Sequence, residues 1–245
     1  MPSLKVVSVL RNTVGLDEFP IFKKLLCTNN IQLSNIDDRL YGLGKPLGLL
    51  HRIFRRLFFR KCFIRQFNED LTGLIRIERP DILLVFKGSL IRPDTVNYAN
   101  ELGSITILIY PDLDPQVYGS KYVSAMSKFN HVFHTKPNYC DYFMSINKSA
   151  SAIGPFFNIN EASEPKLVDD NLGVSFVGHY SAGKLDSIIK FAQLFSGNVS
   201  VFGDNWNVNI PSNCPQNLIF HSSVYGPYVS KIYQASLCSL GLLQE

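Results

Sequence analysis

The sequence predicts an α/β protein of two doubly wound parallel-sheet domains, the second of them incomplete. Three observations lead there. Short apolar runs such as ILLVF and ITILIY alternate with helical patterns along most of the chain. The alternation breaks once, at a polar and acidic stretch, and then restarts. It ends on an apolar run with no helix after it. Strands that are apolar on both faces belong to parallel sheets covered on both sides. Right-handed crossovers then wind such a sheet in both directions from a central strand.

The elements follow in order. Residues 4–10 (LKVVSVL) read as the first strand, 17–27 as a helix and 31–36 as a weaker strand. A long helical stretch covers about 46–77, and Pro80 ends it before the strand 81–86. Residues 93–102 form a short helix with Pro93 at its start and Gly103 just past its end. The strand 105–110, a helix at 118–128, the strand 131–134 and a helix at 137–145 complete the first domain, 1–155. Residues 156–172, most of a polar and acidic stretch that contains Pro155 and Pro165, read as a linker. The second domain, 173–245, supplies strands at 173–177, 198–202, 218–221 and 237–243 and helices at 184–195 and 228–235. A complete Rossmann-like domain has about six strands, so this one is expected to be partial.

Composition narrows the function. The chain has 245 residues, 46% hydrophobic and 18% charged, with a net charge of +4. That is a globular protein of two modest domains, too weakly basic for a dedicated nucleic-acid binder. No apolar run is long enough to span a bilayer, and the N-terminus lacks the pattern of a signal peptide. Five scattered cysteines show no zinc spacing and read as free thiols in a reducing cytoplasm. No metal site is expected. The absence of GxGxxG and Walker patterns argues against a common NAD or ATP site.

Ligands of open α/β sheets bind beyond the carboxyl ends of the strands. Two strand–glycine turns stand there: Gly178-His179 after SFV, and Gly203-Asp204 with Trp206 after SVF. Glycine lets the backbone approach a phosphate or sugar closely, although it serves equally in a plain tight turn. Lys184 follows Gly178 at the start of a helix, where a cation and the helix N-terminus together suit an anion. In the first domain, Arg11 and Asn12 follow the first strand, Lys87 follows 81–86, and Asp112 and Asp114 follow 105–110. Arg11, Asn12 and Lys87 are candidates for acceptor or cleft contacts. The two aspartates are candidate general bases, or a polar turn that caps the next helix. His134, near the end of the strand 131–134, is a third candidate base, or a satisfied core residue. The run from Lys45 to Arg65 (KPLGLLHRIFRRLFFRKCFIR) carries seven Lys/Arg and no acid. It reads as a helix packed on the sheet by its apolar face, with a basic face that could contact an anionic membrane peripherally.

Six blocks in order carry a resemblance: RPDILLVFKG at 79–88, YPDLDP at 110–115, HVFHTK at 131–136, VSFVGHY at 174–180, VFGDNW at 201–206 and VYGPYVSKIYQAS at 224–236. Together they resemble the CgeB-like (spore maturation protein-like) glycosyltransferases. The resemblance implies a GT-B architecture, in which an N-terminal domain holds the acceptor, a C-terminal domain binds a nucleotide-sugar, and transfer occurs in the cleft. It implies no metal, and it puts Lys184 on the donor diphosphate, with Gly178 and Gly203 in turns facing the cleft. The donor side is then Gly178, His179, Lys184, Gly203, Asp204 and Trp206. The acceptor would be a carbohydrate, a protein or a lipid-linked sugar, in the cytoplasm or at the inner membrane surface, with no nucleic acid involved. The family's Thr/Arg-rich and glutamate-bearing donor block is expected beyond Glu245. A chain without it would be an inactive fragment or a non-catalytic sugar or nucleotide-sugar binding module.

Overall fold

The computed structural model describes residues 3–12, 22–23, 30–41, 59–154, 172–206, 210–211 and 214–242. All but Leu172 of the predicted linker at 156–172, most of the helix at 17–27, and 45–58 of the basic run lie outside the described residues. The chain divides into two compact units, Met1–Phe157 and Asn158–Glu245.

The first unit is a six-stranded parallel sheet of β1 (Leu4–Val9), β2 (Ile31–Ile36), β3 (Ile82–Phe86), β4 (Ile105–Tyr110), β5 (His131–His134) and β6 (Ala150–Ala152), in the order β2-β1-β3-β4-β5-β6. The winding direction reverses between β1 and β3, so the carboxyl ends of these two strands flank the switch point. Successive residues of each strand face opposite sides. Val7, Val9, Leu83, Val85, Leu108 and Tyr110 pack against one layer, and Val6, Leu84 and Ile109 join a second cluster with Phe22.

The long helix α1 (Arg60–Glu78) lays Phe67, Leu71 and Ile75 against the first face, all fully buried. Burying three such side chains contributes roughly 5–9 kcal/mol before entropy is counted. Its end is set by Arg79, in the left-handed region at φ 48°, followed by Pro80. One polar residue ties α1 to the next helix, α2 (Pro93–Glu101). Asn68 donates to Ile64 O (2.6 Å) and Leu90 O (2.9 Å), and accepts from Arg92 N (2.9 Å) and Thr95 Oγ1 (2.8 Å). All four of its hydrogen-bonding positions are filled, which permits its burial.

The helix expected at 118–128 is shorter than that and is preceded by a separate turn. A 3₁₀ turn covers Pro115–Tyr118 and α3 covers Ser120–Met126, because Gly119 between them takes φ 94°, outside helical geometry. The segment at 137–145 behaves similarly, with a 3₁₀ turn at Pro137–Tyr139 leading into α4 (Cys140–Ile146). β6, which the sequence did not single out, joins the sheet edge through Val132–Ala150 and its neighbours.

The second unit holds β7 (Val174–Val177), β8 (Val199–Phe202), β9 (Leu218–His221) and β10 (Cys238–Ser239), in the order β10-β7-β8-β9 and all parallel. Its helices are α5 (Ala182–Leu194) and α6 (Pro227–Gln234). Leu185, Ile188 and Ala192 of α5 pack with Phe176, Val199, Val201 and Trp206. The strand expected at 237–243 pairs over two residues only, extended by Leu237 N to Gly173 O and Leu240 N to Ser175 O. The switch point here lies between β7 and β10, so the turn after β7 borders it. Cys62, Cys140, Cys214 and Cys238 are free thiols.

Candidate functional site

In the first unit the carboxyl edge gathers a polar cluster. β3 ends in a three-residue turn, with Gly88 N donating to Phe86 O (2.7 Å) and Lys87 at φ 62°. A non-glycine residue in that region is uncommon. Here it is held from three sides. Lys87 N donates to Ile109 O (2.8 Å), the Tyr122 hydroxyl donates to Lys87 O, and Lys87 Nζ lies 2.6 Å from Asp112 Oδ2. The Tyr118 hydroxyl donates to the same oxygen (2.8 Å), and Nζ also stands 5.6 Å from the centre of the Tyr118 ring. Both contacts fall on Oδ2, and among the described residues none falls on Oδ1 of Asp112. Burial alone would lower the Lys87 pKa, but hydrogen bonds to Asp112 and Tyr118 outweigh it and raise it. The Tyr118 hydroxyl is itself pushed up, chiefly by burial, and stays neutral.

The other predicted residues of this edge are placed differently. Asp114 caps the 3₁₀ turn by accepting from Gln116 N (2.8 Å), and it also accepts from the Tyr142 hydroxyl (3.1 Å). Arg11 meets Asp38 through Nε (2.9 Å) and Nη2 (3.4 Å), with little of either side chain exposed. The Asn12 amide donates to Asp37 (2.9 Å). Asp37 and Asp38, which the sequence did not single out, thus fix the loop after β1. His134 is fully buried and stacked on Phe143 at 4.4 Å. Burial lowers its pKa. Among the described residues, neither of its ring nitrogens makes a hydrogen bond of ordinary geometry, and neither does the buried hydroxyl of Tyr110, its register neighbour on β4.

In the second unit the two glycine turns are locked together. Gly178 N donates to Phe202 O (2.9 Å), Tyr180 N to Asp204 O (3.4 Å), and Trp206 Nε1 to Gly178 O (2.8 Å). A Cβ at Gly203 would stand 1.9 Å from Gly178 O, so the close approach of the two turns requires glycine. Trp206 is 1% exposed, between Phe176, Tyr180 and Phe220. It therefore packs behind the turns and supports them. Ser181 caps α5 by accepting from Lys184 N (3.4 Å). The Lys184 ammonium reaches back over the turn to His179 O (3.5 Å).

Asp204 lies at the open side of these turns. It accepts from the hydroxyls of Ser223 and Tyr225 (the latter at 3.1 Å) and stands 3.8 Å from His179 Nδ1. The two hydroxyl donors, with His179 adding to them, hold its carboxyl below the ordinary value. Ser223 was not singled out from the sequence, and Tyr225 entered only within the block 224–236, with no site role. Their signal was their place just after β9, at the same edge as the two glycine turns. Among the described residues, no group of three or more His, Cys, Asp or Glu is placed to hold a metal ion, and no helix is long and apolar enough to cross a membrane.

No family model matches the chain, and no characterised protein matches it by sequence. Solved structures do match. A sucrose-phosphate synthase from Thermosynechococcus elongatus superposes with a TM-score of 0.66 at 12% identity, over 96% of this chain and 74% of that one. The fold is GT-B. The same GT-B likeness extends to UDP-GlcNAc 2-epimerase from Methanocaldococcus jannaschii (TM-score 0.57, 10% identity, 96% of this chain and 78% of that one). It extends also to Arabidopsis thaliana UGT89C1 in complex with UDP-L-rhamnose (0.52, 10%, 91% and 70%).

Proposed function

We propose that this GT-B chain is a nucleotide-sugar glycosyltransferase of the CgeB-like kind, with the donor held by the second unit. The observation that carries this reading is the pair of interlocked glycine turns at the ends of β7 and β8, with Lys184 on the first turn of the helix that follows. Such a turn presents backbone N–H groups and the positive end of a helix to a diphosphate. Lys184 adds a mobile cation, and Asp204 and His179 offer partners for sugar or ribose hydroxyls. The UDP-sugar in the complex of UGT89C1 supports a donor of this class.

Transfer breaks the bond between the anomeric carbon and the donor diphosphate and forms one to an acceptor oxygen. Negative charge grows on the leaving diphosphate, where Lys184 and the α5 N-terminus lower its energy. In the inverting form of the chemistry, Asp112 Oδ1 takes the acceptor proton, and Lys87 keeps the carboxylate oriented. No metal is called on. The likeness to UDP-GlcNAc 2-epimerase supports a second reading, epimerisation of a bound nucleotide-sugar with no acceptor, and product analysis separates the two.

The test is calorimetry of the full chain with UDP, GDP, ADP and dTDP. One of them is expected to bind, and Lys184→Ala to weaken it about tenfold or more, with thermal stability moving by less than about 0.5 kcal/mol. Unchanged affinity removes Lys184 from the site. If no nucleoside diphosphate binds, the donor assignment fails. Donor binding without transfer, hydrolysis or epimerisation would leave a binding module.

A further inference from the structure

One concavity of the first unit has no part in the proposed chemistry. It is a groove of about 1050 Å³ walled by α1, α2 and α3. Five basic residues line it: Lys61, Arg65 and Arg76 from α1, Arg92 before α2, and Lys121 from α3. Only two acids oppose them, Glu69 and Asp94, and Glu69 is 3.7 Å from Arg65. The side chains of Lys61, Arg76, Arg92 and Lys121 have no acidic partner among the described residues.

We infer that this groove docks a linear acidic glycan, one bearing a carboxylate or phosphate on its repeat units. Three features select that occupant. The basic positions extend from Lys61 to Arg76, which at 1.5 Å per helical residue is about 22 Å. A single phosphate is far too short for that, whereas a chain with repeated charges matches it. The surface is concave, which suits a strand better than a flat bilayer. The basic side chains come from three helices around the groove while Asn68 beneath them has its hydrogen bonds filled, so recognition falls to the charged rim. Arginines supply paired N–H donors that match carboxylate and phosphate oxygens.

One end of the groove adjoins the polar cluster. Lys121 lies beside Tyr122, whose hydroxyl donates to Lys87 O, and Arg92 follows the turn in which Ile91 N donates to Gly88 O (3.0 Å). Resting on the proposed function, the glycan is then the acceptor: the groove holds its charged length while one terminal hydroxyl reaches Asp112.

The test is fluorescence anisotropy of the full chain with a labelled oligogalacturonate long enough to fill the groove. Binding is expected to weaken with added salt, and about tenfold or more in the double variant Arg76→Glu/Arg92→Glu. Lys190→Glu, an exposed lysine on α5 of the other unit, is expected to leave it within about twofold. A neutral dextran oligomer of equal length is expected not to bind. Absence of oligogalacturonate binding overturns the inference, and so does equal weakening by Lys190→Glu. Tighter capture of an RNA oligomer or anionic vesicles through the same two arginines overturns the glycan assignment. Nucleoside diphosphate calorimetry on the same samples keeps the two proposals apart. Oligogalacturonate binding without nucleotide binding leaves the groove standing and removes the transferase, and the reverse does the opposite.

Discussion

Replacing Gly203 by alanine tests the lock between the two turns of the second unit. The new Cβ would stand 1.9 Å from Gly178 O and 2.7 Å from Trp206 Nε1, the two atoms of one hydrogen bond 2.8 Å long. No rotation of a side chain relieves a contact with a backbone oxygen. The turns must part, and the indole N–H then loses its acceptor inside the core. Overpacking of this kind costs about 1–3 kcal/mol, and the broken hydrogen bond adds about 1 kcal/mol. The expected loss is therefore about 2–4 kcal/mol, or roughly 1–2 M in urea midpoint for a small unit. Trp206 is the only tryptophan of the chain, so its fluorescence during urea unfolding reports on this unit. Gly183→Ala is the control. Nothing lies within 4 Å of its Cβ, and alanine in α5 is expected to stabilise slightly. A Gly203→Ala midpoint within about 0.3 M of the parent would refute the close approach of the turns.

Two further outcomes are expected. Asp112→Asn should leave unfolding within about 1 kcal/mol of the parent, because its ion pair with Lys87 is partly exposed. The same variant should slow sugar transfer about 10²-fold or more in a product assay if Oδ1 is the base. Acid should weaken the fold before the carboxylates titrate, because burial lowers the pKa of both His134 and His221. Their folded values lie below the unfolded value of about 6.5, so the unfolded chain binds more protons in between. The stabilisation is complete above about pH 6.5 and is lost as pH falls through that value, by at most about 1.4 kcal/mol per pH unit for each group. Urea midpoints between about pH 7.5 and 5.5 should show this slope, and His134→Phe should reduce it.

The strands were legible where burial on both faces leaves an unbroken apolar run, as in Ile82–Phe86 and Ile105–Tyr110. β6 was not, because Ala150-Ser151-Ala152 at a sheet edge carries no such run. Gly119 was passed over because a helical pattern continues on both sides of it. The glycine turns and the residues after the strands were visible as places, but their partners were not. Asn68 resembles any polar residue on a helix until Leu90, Arg92 and Thr95 come around it. The open alternatives at Asp112 and Asp114 divide: Asp114 caps a turn and Asp112 meets Lys87, a choice made by Tyr118, Tyr142 and backbone geometry that spacing does not encode.

The bond from Trp206 to Gly178 also bears on how this protein can change. Gly178, Gly203 and Trp206 form a closed set in which altering any one member disturbs the other two, so drift at these positions has to be concerted. His179, Ser223 and Tyr225 surround the exposed Asp204 without being wedged against that set. A library aimed at a different sugar would vary these three and leave the glycine–tryptophan lock untouched, so that specificity could move while the scaffold beneath it stays folded.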